Sequence, residues 1–458
     1  MTLRFGTDGV RGVANEELTP ELTLALGRAA ARVLADGRDG RDGRDGRPVI
    51  VMGRDTRRSG PLLGAALAAG LTAEGVDVVD LGVLPTPGVA HAAAVGGVAA
   101  AMISASHNPF PDNGIKFFAV GGRKLADDVE RRIEAELDRV LAAARPDVVP
   151  TGSDVGDVRI AGDAVDRYAD ELVAALEGRR LDGMRVVLDC ANGAAHQVAP
   201  EVFRRVGADV TVLHDAPSGT NINDGCGSTH PADLQRAVVA HGAALGFAFD
   251  GDADRMLAAD QDGQLVDGDQ LMAMMALDLR DRGRLAADTV VVTVMTNLGF
   301  KLAMRDAGVR VVETGVGDRY VLEAIEAGGF SLGGEQSGHL IFRDHASTGD
   351  GTLSGLLVAD LVMRSGRSLA HHAAVMTRLP QVLRNVRGVN RSGLDAADAL
   401  WAAVREEEAG LGESGRVLLR PSGTEPLVRV MVEAPTAELA DAVCSRLCAV
   451  VERELPLP

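Results

Sequence analysis

The stretch from Pro48 to Pro109, "PVIVMGRDTRRSGPLLGAALAAGLTAEGVDVVDLGVLPTPGVAHAAAVGGVAAAMISASHNP", repeats one pattern of chain organisation. Short apolar runs such as "VIVMG" and "VAAAMI" have the length of strands, and segments such as "GPLLGAALAAGLTAEG" have the length of helices. Strands that alternate with helices build a sheet covered by helices. The stretch therefore predicts an α/β domain in which one strand ends in the polar sequence "SASHNP".

The same alternation restarts twice further along the chain. A second block opens near Asp163 and ends at "AALGFAFDGDADR", and a third runs from about Met256 through "TVVVTVMTN" and "FSLGGEQSGHLIF". From about His371 the pattern changes to that of a smaller α+β domain with an antiparallel sheet. We therefore expect an α/β protein: three successive α/β/α domains with mixed sheets, plus a smaller C-terminal α+β domain. The expected domains are 1–158, 159–255, 256–370 and 371–458.

Composition narrows the classes of partner and the compartment. The chain of 458 residues has 47 Lys and Arg against 65 Asp and Glu, a formal net charge of -18, so we expect neither nucleic acid nor a membrane as partner. No apolar run approaches the ~18 residues of a membrane span, and the N-terminus lacks a signal-peptide pattern. The four cysteines form no CxxC pair, which argues against a disulfide framework or a zinc site. These features predict a cytoplasmic protein.

The polar end of the strand at "MISASHNPFPDNGIK" is the first candidate site. A serine on a turn just past a strand is expected to be exposed and placed to attack or to be phosphorylated, and His107 and Asn108 can hydrogen-bond phosphate oxygens. The alternative is a polar turn that merely ends the strand. No G-x-S-x-G elbow surrounds the serines, so a hydrolase triad is poorly supported.

The second candidate site is the aspartate triplet in "FAFDGDADRM". Asp250, Asp252 and Asp254 follow an apolar strand, so their carboxylates can converge on one hard cation. A calcium loop of the EF-hand type needs glycine and glutamate where Arg255 and Gln261 stand, which excludes it and favours magnesium tied to phosphate chemistry. The alternative is an acidic turn at the strand end.

The third candidate site is "LLRPSGTEPLVRV" in the last domain. It combines guanidinium groups, hydroxyls and a glycine that permits close approach, which suits a phosphate cradle without the spacing of a Walker loop. A capped turn between two strands is the alternative. The expected phosphate-binding residues are Arg420, Ser422, Gly423, Thr424 and Arg429.

Two further segments complete the set of candidates. In "GGEQSGHLIF", Glu335, Ser337 and His339 suit the vicinal hydroxyls of a sugar, and a tight hairpin turn is the alternative. In the N-terminal "RFGTDGVRG", Arg11 could approach an anion, a signal that decides nothing alone. One candidate loop in each of four successive domains favours one shared central cleft over independent coincidence.

Taken together, "SASHNP", "DGDADR", "GEQSGH", "RPSGTEPLVRV" and "FGTDGVRG" resemble the signature motifs of the α-D-phosphohexomutases over essentially the whole chain. The resemblance implies that Ser106 is phosphorylated in the active enzyme. It also implies one Mg²⁺ per active site, bound by Asp250, Asp252, Asp254 and an oxygen of the phosphoserine. A hexose or glucosamine 1,6-bisphosphate is the expected intermediate and activator.

The implied reaction moves a phosphoryl group between the 1- and 6-positions of a hexose phosphate, the expected small-molecule partner. We expect Ser106, His107, Lys116 and Arg11 to be catalytic, with His107, Lys116 and His339 as candidates for the general acid or base. Arg255 and Lys116 are expected to neutralise phosphate charge, and Arg255, Glu335, Ser337 and His339 to bind substrate.

The sequence also supports expectations for the substrate and the assembly. Gln336 and the segment "STGDGTLSGLLV" resemble members that act on glucosamine phosphate for amino-sugar nucleotide synthesis. Mutases of glucose or mannose phosphate are the near alternative. A sugar-phosphate-binding regulator without turnover is a distant one, because the serine and all three aspartates are present. A homodimer is kept as an open expectation.

Overall fold

A computed structural model of the chain describes residues 5–6, 9–35, 46–143, 149–422, 425 and 427–457. Contacts divide the chain into two compact units. One lies within 1–294 and 312–373, and the other within 295–311 and 374–458. The expected phosphate-binding residues Gly423 and Thr424 lie outside the described residues.

The first sheet is mixed and has seven strands. They are β1 (Val10–Val13), β2 (Val49–Arg54), β3 (Asp77–Val83), β4 (Ala99–Ile103), β5 (Asp112–Ala119), β6 (Arg123–Lys124) and β7 (Val158–Ile160). The order is β1-β5-β4-β2-β3-β7, with β6 paired to β5. Strand β2 pairs in parallel with β3 and β4, whereas β5 runs antiparallel to β1 and β4. The two neighbours β2 and β4 therefore end at the same edge of the sheet.

Four helices accompany this sheet. They are α1 (Pro20–Leu34), α2 (Gly60–Thr72), α3 (Thr86–Gly96) and α4 (Asp127–Ala142). Helices α1 and α2 approach closely at Gly27 and Gly70. A Cβ atom at Gly27 would lie 2.6 Å from the backbone oxygen of Leu67, and one at Gly70 would lie 2.2 Å from that of Leu24. Side chains at these two positions would force the helices apart.

The second sheet has five strands in the order β12-β11-β10-β8-β9. Its elements are α5 (Ala164–Ala174), β8 (Arg185–Asp189), α6 (Ala195–Arg205), β9 (Asp209–Leu213), α7 (Ala232–His241), β10 (Leu245–Phe249), β11 (Met256–Asp260) and β12 (Leu265–Val266). Strands β8, β9 and β10 are parallel, and β11 runs antiparallel to β10. The loop between β10 and β11 carries the aspartate triplet.

The third sheet has four strands in the order β14-β13-β15-β16. The elements of this part of the chain are α8 (Gly268–Asp281), β13 (Thr289–Thr293), α9 (Leu298–Asp306), β14 (Arg310–Thr314), α10 (Asp318–Gly328), β15 (Leu332–Gly334), β16 (Leu340–Phe342), α11 (Gly351–Ser365) and α12 (Leu369–Ala373). Strand β15 pairs in parallel with β13 and antiparallel with β16. The short antiparallel pair places "EQSGH" in the connecting loop.

The C-terminal sheet is antiparallel, with three strands in the order β17-β19-β18. Its elements are β17 (Gln381–Arg387), α13 (Asp398–Leu411), β18 (Arg416–Pro421), β19 (Leu427–Glu433) and α14 (Ala437–Glu454). Its hydrophobic core includes Val430 and Val432 of β19 with Val443 and Leu447 of α14, all at most 1% exposed. Alternate residues of β19 face the helices, as the period of a strand requires.

Three mixed sheets with helices and a smaller antiparallel domain confirm the expected fold class. Two sheets extend past the ends that we predicted for their domains. Strand β7 continues the first sheet beyond residue 158, because it pairs in parallel with β3. Strands β11 and β12 continue the second sheet beyond Arg255, because β11 turns back to pair with β10 and β12 with β11. The four ranges otherwise stay predictions. None of the helices in the described ranges has the length and apolarity to span a membrane.

Candidate active site

Ser106 lies on the turn that follows β4 and is held by hydrogen bonds on both sides. Its backbone N–H donates to Ser104 Oγ at 2.9 Å, and its own Oγ donates to Asp250 Oδ2 at 2.6 Å. Its φ of +51° lies in the left-handed region, which a serine adopts only where the surroundings enforce it. We expected an exposed serine, but Ser106 is 1% exposed. The aspartate loop contacts its hydroxyl directly.

Residues that we did not predict from the sequence hold this turn. Arg57, fully buried, donates from Nη2 to the backbone oxygens of Ser106 and Asn108, and from Nη1 to those of Pro109 and Asp112. Its Nε donates to Asp55 Oδ2 at 2.8 Å, and the same oxygen accepts from Ser104 Oγ at 2.7 Å. The guanidinium thus spans the whole nucleophile turn.

A second clamp comes from the neighbouring domain. The side-chain amide of Asn223 donates to the backbone oxygens of Ser106 at 2.9 Å and Asn108 at 3.1 Å.

The sequence contained a signal for Asp55 and Arg57, because "GRDTR" stands at the end of β2 and the ends of neighbouring parallel strands meet at one sheet edge. For Asn223, within a long loop, the sequence contained no comparable signal.

The three aspartates form one buried cluster. One carboxylate oxygen of each lies within 4.8 Å of the others. Asp252 Oδ1 and Asp254 Oδ1 are buried and make no hydrogen bond among the described residues. Burial, followed by the charges of Asp254 and Asp252, raises the pKa of Asp250 far above its usual value. Clustered carboxylate oxygens that accept no hydrogen bond from the described residues fit a hard divalent cation.

The Oδ2 atoms of Asp252 and Asp254 face donor groups of the first domain. Asp252 Oδ2 accepts hydrogen bonds from Lys116 Nζ at 2.8 Å and from Thr86 Oγ1 at 2.5 Å. The backbone N–H of Thr86 also donates to the backbone oxygen of Asp252. Lys116 lies 3.9 Å from Asp254 Oδ2 as well and is nearly buried. These contacts orient the loop and leave the Oδ1 atoms available.

His107 and Arg255 stand beside the serine. His107 Nδ1 is 3.3 Å from Ser106 Oγ and 3.2 Å from Arg255 Nη1. Burial, and then the positive charges of Arg255 and Arg11, lower the pKa of His107, so its imidazole is neutral near pH 7. Arg11 itself lies on β1, opposite Gly114 of β5. The structure therefore brings a neutral imidazole and cationic groups to the serine.

The segment "EQSGH" forms the turn between the antiparallel strands β15 and β16. Glu335 Oε1 accepts from the backbone N–H of Gly317 at 3.2 Å, and Ser337 is exposed. His339 is buried and places Nδ1 3.6 Å from Asp254 Oδ2, while its Nε2 accepts from the backbone N–H of Gly349 at 3.0 Å. Its Nε2 also lies 3.4 Å from Asp318 Oδ2, so His339 stands between the aspartate loop and α10, whereas Glu335 is half-buried and Ser337 is exposed.

The candidate phosphate cradle of the C-terminal domain contains two arginines. Arg420 of β18 and Arg429 of β19 are directly opposite each other in the sheet. The Nε atom of each is buried without a hydrogen bond among the described residues, and burial followed by the charge of Arg429 lowers the pKa of Arg420. Ser422, two residues after Arg420, is also buried. Opposed like charges with unused donors suit an anion.

A buried serine turn, a carboxylate cluster that fits a cation and an arginine pair define an enzyme of phosphoryl transfer. The chain matches the models of four phosphoglucomutase/phosphomannomutase domains: α/β/α domain I at 2–143, domain II at 166–263, domain III at 267–379 and the C-terminal domain at 383–450. The chain belongs to this family, the α-D-phosphohexomutases, and is an isomerase that transfers a phosphoryl group within its substrate.

Curated relatives and solved structures match this chain over its full length. The chain is 57% identical over 460 residues to phosphoglucosamine mutase of Frankia alni and 56% identical over 458 residues to that of Thermobifida fusca, with 100% of each chain covered. The structure of a phosphoglucomutase/phosphomannomutase family protein from Burkholderia thailandensis aligns with a TM-score of 0.80 at 25% identity, covering 98% of this chain and 99% of that one.

N-acetylphosphoglucosamine mutase of Aspergillus fumigatus, solved with GlcNAc-6P and magnesium, aligns with a TM-score of 0.70 at 19% identity. The alignment covers 99% of this chain and 96% of that one, and at this identity it shows the fold alone.

Proposed function

We propose that the protein interconverts glucosamine 6-phosphate and glucosamine 1-phosphate through a phosphorylated Ser106 and a 1,6-bisphosphate intermediate. The observation that carries the proposal is the 2.6 Å hydrogen bond from Ser106 Oγ to Asp250 within the buried aspartate cluster. Relatives that cover the whole chain at 54–58% identity are named phosphoglucosamine mutase, which supports the amino-sugar substrate.

Asp250, Asp252 and Asp254 are proposed to hold one Mg²⁺ together with an oxygen of phosphorylated Ser106. When bound, this ion neutralises charge on the transferred phosphoryl group. The protein's own part is to hold the carboxylates. Lys116 and Thr86 donate to Asp252 Oδ2, so the loop keeps its shape and the Oδ1 atoms of Asp252 and Asp254 would be available to the cation.

In the forward half-reaction a sugar hydroxyl oxygen attacks the phosphorus of phosphoserine, the bond from phosphorus to Ser106 Oγ breaks, and the hydroxyl proton must leave. His107, Lys116 and His339 are the candidates to accept it. The serine oxygen that leaves gains a proton in the same step, and His107, whose Nδ1 lies 3.3 Å from Ser106 Oγ, is placed to exchange a proton with that oxygen. Arg255 and Arg11 balance the charge of the phosphoryl group in transit.

The non-reacting phosphate is assigned to Arg420, Ser422, Gly423, Thr424 and Arg429. Because the 1- and 6-phosphates exchange roles between the two half-reactions, these residues must bind a phosphate at either end of the sugar. Glu335 and Ser337 are assigned to hydroxyls that both orientations present. The arginine pair supports the first assignment, since its buried Nε donors make no hydrogen bond among the described residues.

The experiment is a coupled assay with the 6-phosphates of glucosamine, glucose and mannose, for the wild type and Ser106→Ala, with the exposed Ser153→Ala as a serine control. We expect preference for the glucosamine ester, loss of turnover in Ser106→Ala and a turnover retained in the control. Preference for glucose or mannose phosphate would reject the substrate. Intact mass provides the second readout: a phosphoryl group that persists in Ser106→Ala would reject the phosphoserine.

A hexose or glucosamine 1,6-bisphosphate is proposed to prime Ser106. Dephosphorylated protein should then be inactive with the monophosphate alone and regain activity when a trace of bisphosphate is added. We also propose that sugar phosphates are the partner class of the protein, that the chain forms a homodimer and that the protein is cytoplasmic. Light scattering of the full chain tests the dimer.

A further inference from the structure

A second set of metal-ligating side chains lies in the second domain and takes no part in the proposed reaction. Asp189 ends β8, His214 follows β9, and Cys226 lies in the loop before α7. One ligand atom of each lies within 4.8 Å of the others. Asp189 and Cys226 are both fully buried. A carboxylate, an imidazole and a thiol from three separate loops thus converge on one point.

The orientation of His214 is that of a metal ligand. Its Nδ1 lies 3.0 Å from Asp189 Oδ1, yet this buried nitrogen makes no hydrogen bond among the described residues. Its Nε2 lies 3.3 Å from Asp233 Oδ2. Metal-binding histidines commonly donate their other ring N–H to a carboxylate. A proton on Nε2 leaves the lone pair of Nδ1 facing an anionic oxygen, an arrangement that a shared cation stabilises.

The other two ligands are held in place and have free lone pairs. Asp189 Oδ1 accepts from the backbone N–H of Ala191 and Oδ2 from that of Gly227, each at 2.9 Å, and a carboxylate oxygen retains a further lone pair. Cys226 Sγ accepts a hydrogen bond from Asn192 Nδ2 at 3.9 Å, and a cysteine that binds a cation does so as the thiolate.

We propose that Asp189, His214 and Cys226 bind a thiophilic divalent cation of the zinc class, with water as the fourth ligand on the partly exposed side of His214. Thiolate, imidazole and carboxylate together select zinc, whereas the all-oxygen aspartate cluster selects a hard cation. Nitrogen and oxygen ligands of a tetrahedral zinc site stand about 3.3 Å apart, so the 3.0 Å between Nδ1 and Oδ1 has to widen by a few tenths of an ångström when the ion binds. The absence of a CxxC pair argued against zinc, but ligands from three loops leave no local motif.

The site would brace the loop that holds the catalytic serine. Asn223, three positions before Cys226 on the same loop, donates to the backbone oxygens of Ser106 and Asn108. Gly225 and Gly227 flank the cysteine, both in the left-handed region with φ of +64° and +71°. A cation that joins Cys226 to the ends of β8 and β9 would fix the position of the Asn223 amide. The role is structural and separate from the proposed magnesium chemistry.

The test is metal content and cobalt spectroscopy on the full-length protein, with excess Mg²⁺ present to occupy the aspartate cluster. We expect about one zinc ion per chain in the wild type and in the thiol control Cys448→Ser, and none in Cys226→Ser. Cobalt should give a thiolate charge-transfer band in the first two proteins only. Asp233→Asn should bind zinc about 10- to 100-fold more weakly, through loss of the carboxylate behind His214.

Two results would overturn the proposal. One is zinc content that is equal in the wild type and in Cys226→Ser, which would place the ion elsewhere. The other is the absence of a thiolate band with unchanged zinc affinity in Asp233→Asn, which would leave the cluster as a histidine that contacts the carboxylates of Asp189 and Asp233 without an ion. Because Asp233→Asn leaves the three ligands intact, it keeps the test decisive if Cys226→Ser fails to fold.

Discussion

The guanidinium of Arg57 donates a hydrogen bond of 2.9 Å from Nη2 to the backbone oxygen of Ser106. The same group serves three other carbonyl oxygens of the turn and the carboxylate of Asp55. No single contact of the serine's own side chain restrains its backbone to this extent. The left-handed conformation of Ser106 is therefore maintained from a neighbouring strand end.

Arg57→Lys is expected to lower the free energy of unfolding by about 2–4 kcal/mol, since an ammonium cannot match the planar fork and leaves buried acceptors unpaired. Urea unfolding followed by circular dichroism measures the loss. The exposed neighbour provides the control, Arg58→Lys, which should stay within about 0.5 kcal/mol of the wild type. Equal stability of the two variants would contradict the role of Arg57.

Thr86 should tune the affinity for the divalent cation without binding it. Its Oγ1 donates to Asp252 Oδ2 at 2.5 Å, a contact that orients the carboxylate. Thr86→Val keeps the shape and removes the donor, so we expect Mg²⁺ affinity to fall about 10- to 100-fold. Thr86→Ser retains the hydroxyl and should remain near the wild type. Calorimetric titration with Mg²⁺ decides; equal affinities for Val and Ser would rule the contact out.

Removal of the cation should expose repulsion within the aspartate cluster. Burial and the two neighbouring carboxylates disfavour ionised Asp250, so the cation-free protein is destabilised near pH 7. Asp250→Asn should therefore have a higher Tm than the wild type in EDTA. Adding Mg²⁺ should raise the Tm of the wild type and leave that of the variant almost unchanged. A lower Tm for Asp250→Asn in EDTA would contradict this account.

The fold class could be predicted from the sequence because alternating strands and helices leave a periodic signal. The sequence of the C-terminal domain lacks that alternation, which indicated a different, antiparallel sheet. Ser106 and the aspartates were also identifiable, since each follows an apolar strand. Thr86 and Asn223 were not, because a single polar residue acquires its role only when a distant loop packs on it. For the same reason the sequence could not show that Ser106 is buried or that His339 contacts Asp254.

The roles assigned to individual site residues stay predictions, and the arginine pair offers a direct test of one. Arg420 and Arg429 are opposed across β18 and β19, and like charges in that position destabilise a sheet. Arg420→Met should therefore stabilise the protein by about 0.5–1 kcal/mol while raising KM for the sugar phosphate at least tenfold. Urea unfolding and steady-state kinetics measure both effects. A variant that loses stability and keeps KM would show a structural arginine instead.

Asp350 should make stability depend on pH between about 4 and 6. It caps α11 by accepting from the backbone N–H of Leu353, and it accepts from Tyr168 Oη at 2.6 Å. Burial raises its pKa from 3.8 to about 6. Because the folded state then holds the proton more tightly than the unfolded state, this group's contribution is full below pH 3.8 and is lost as the pH rises through 6.

Asp350→Asn removes this titration and keeps a capping side chain. The difference in unfolding free energy, wild type minus variant, should fall by up to about 3 kcal/mol between pH 4 and pH 7. Urea unfolding across that range measures it, and the exposed Asp344→Asn serves as the control with a constant difference. If the curves for Asp350→Asn and the wild type run parallel, the pKa of Asp350 is the same in the folded and the unfolded state. The hydrogen bonds from Leu353 and Tyr168 would then offset the cost of its burial.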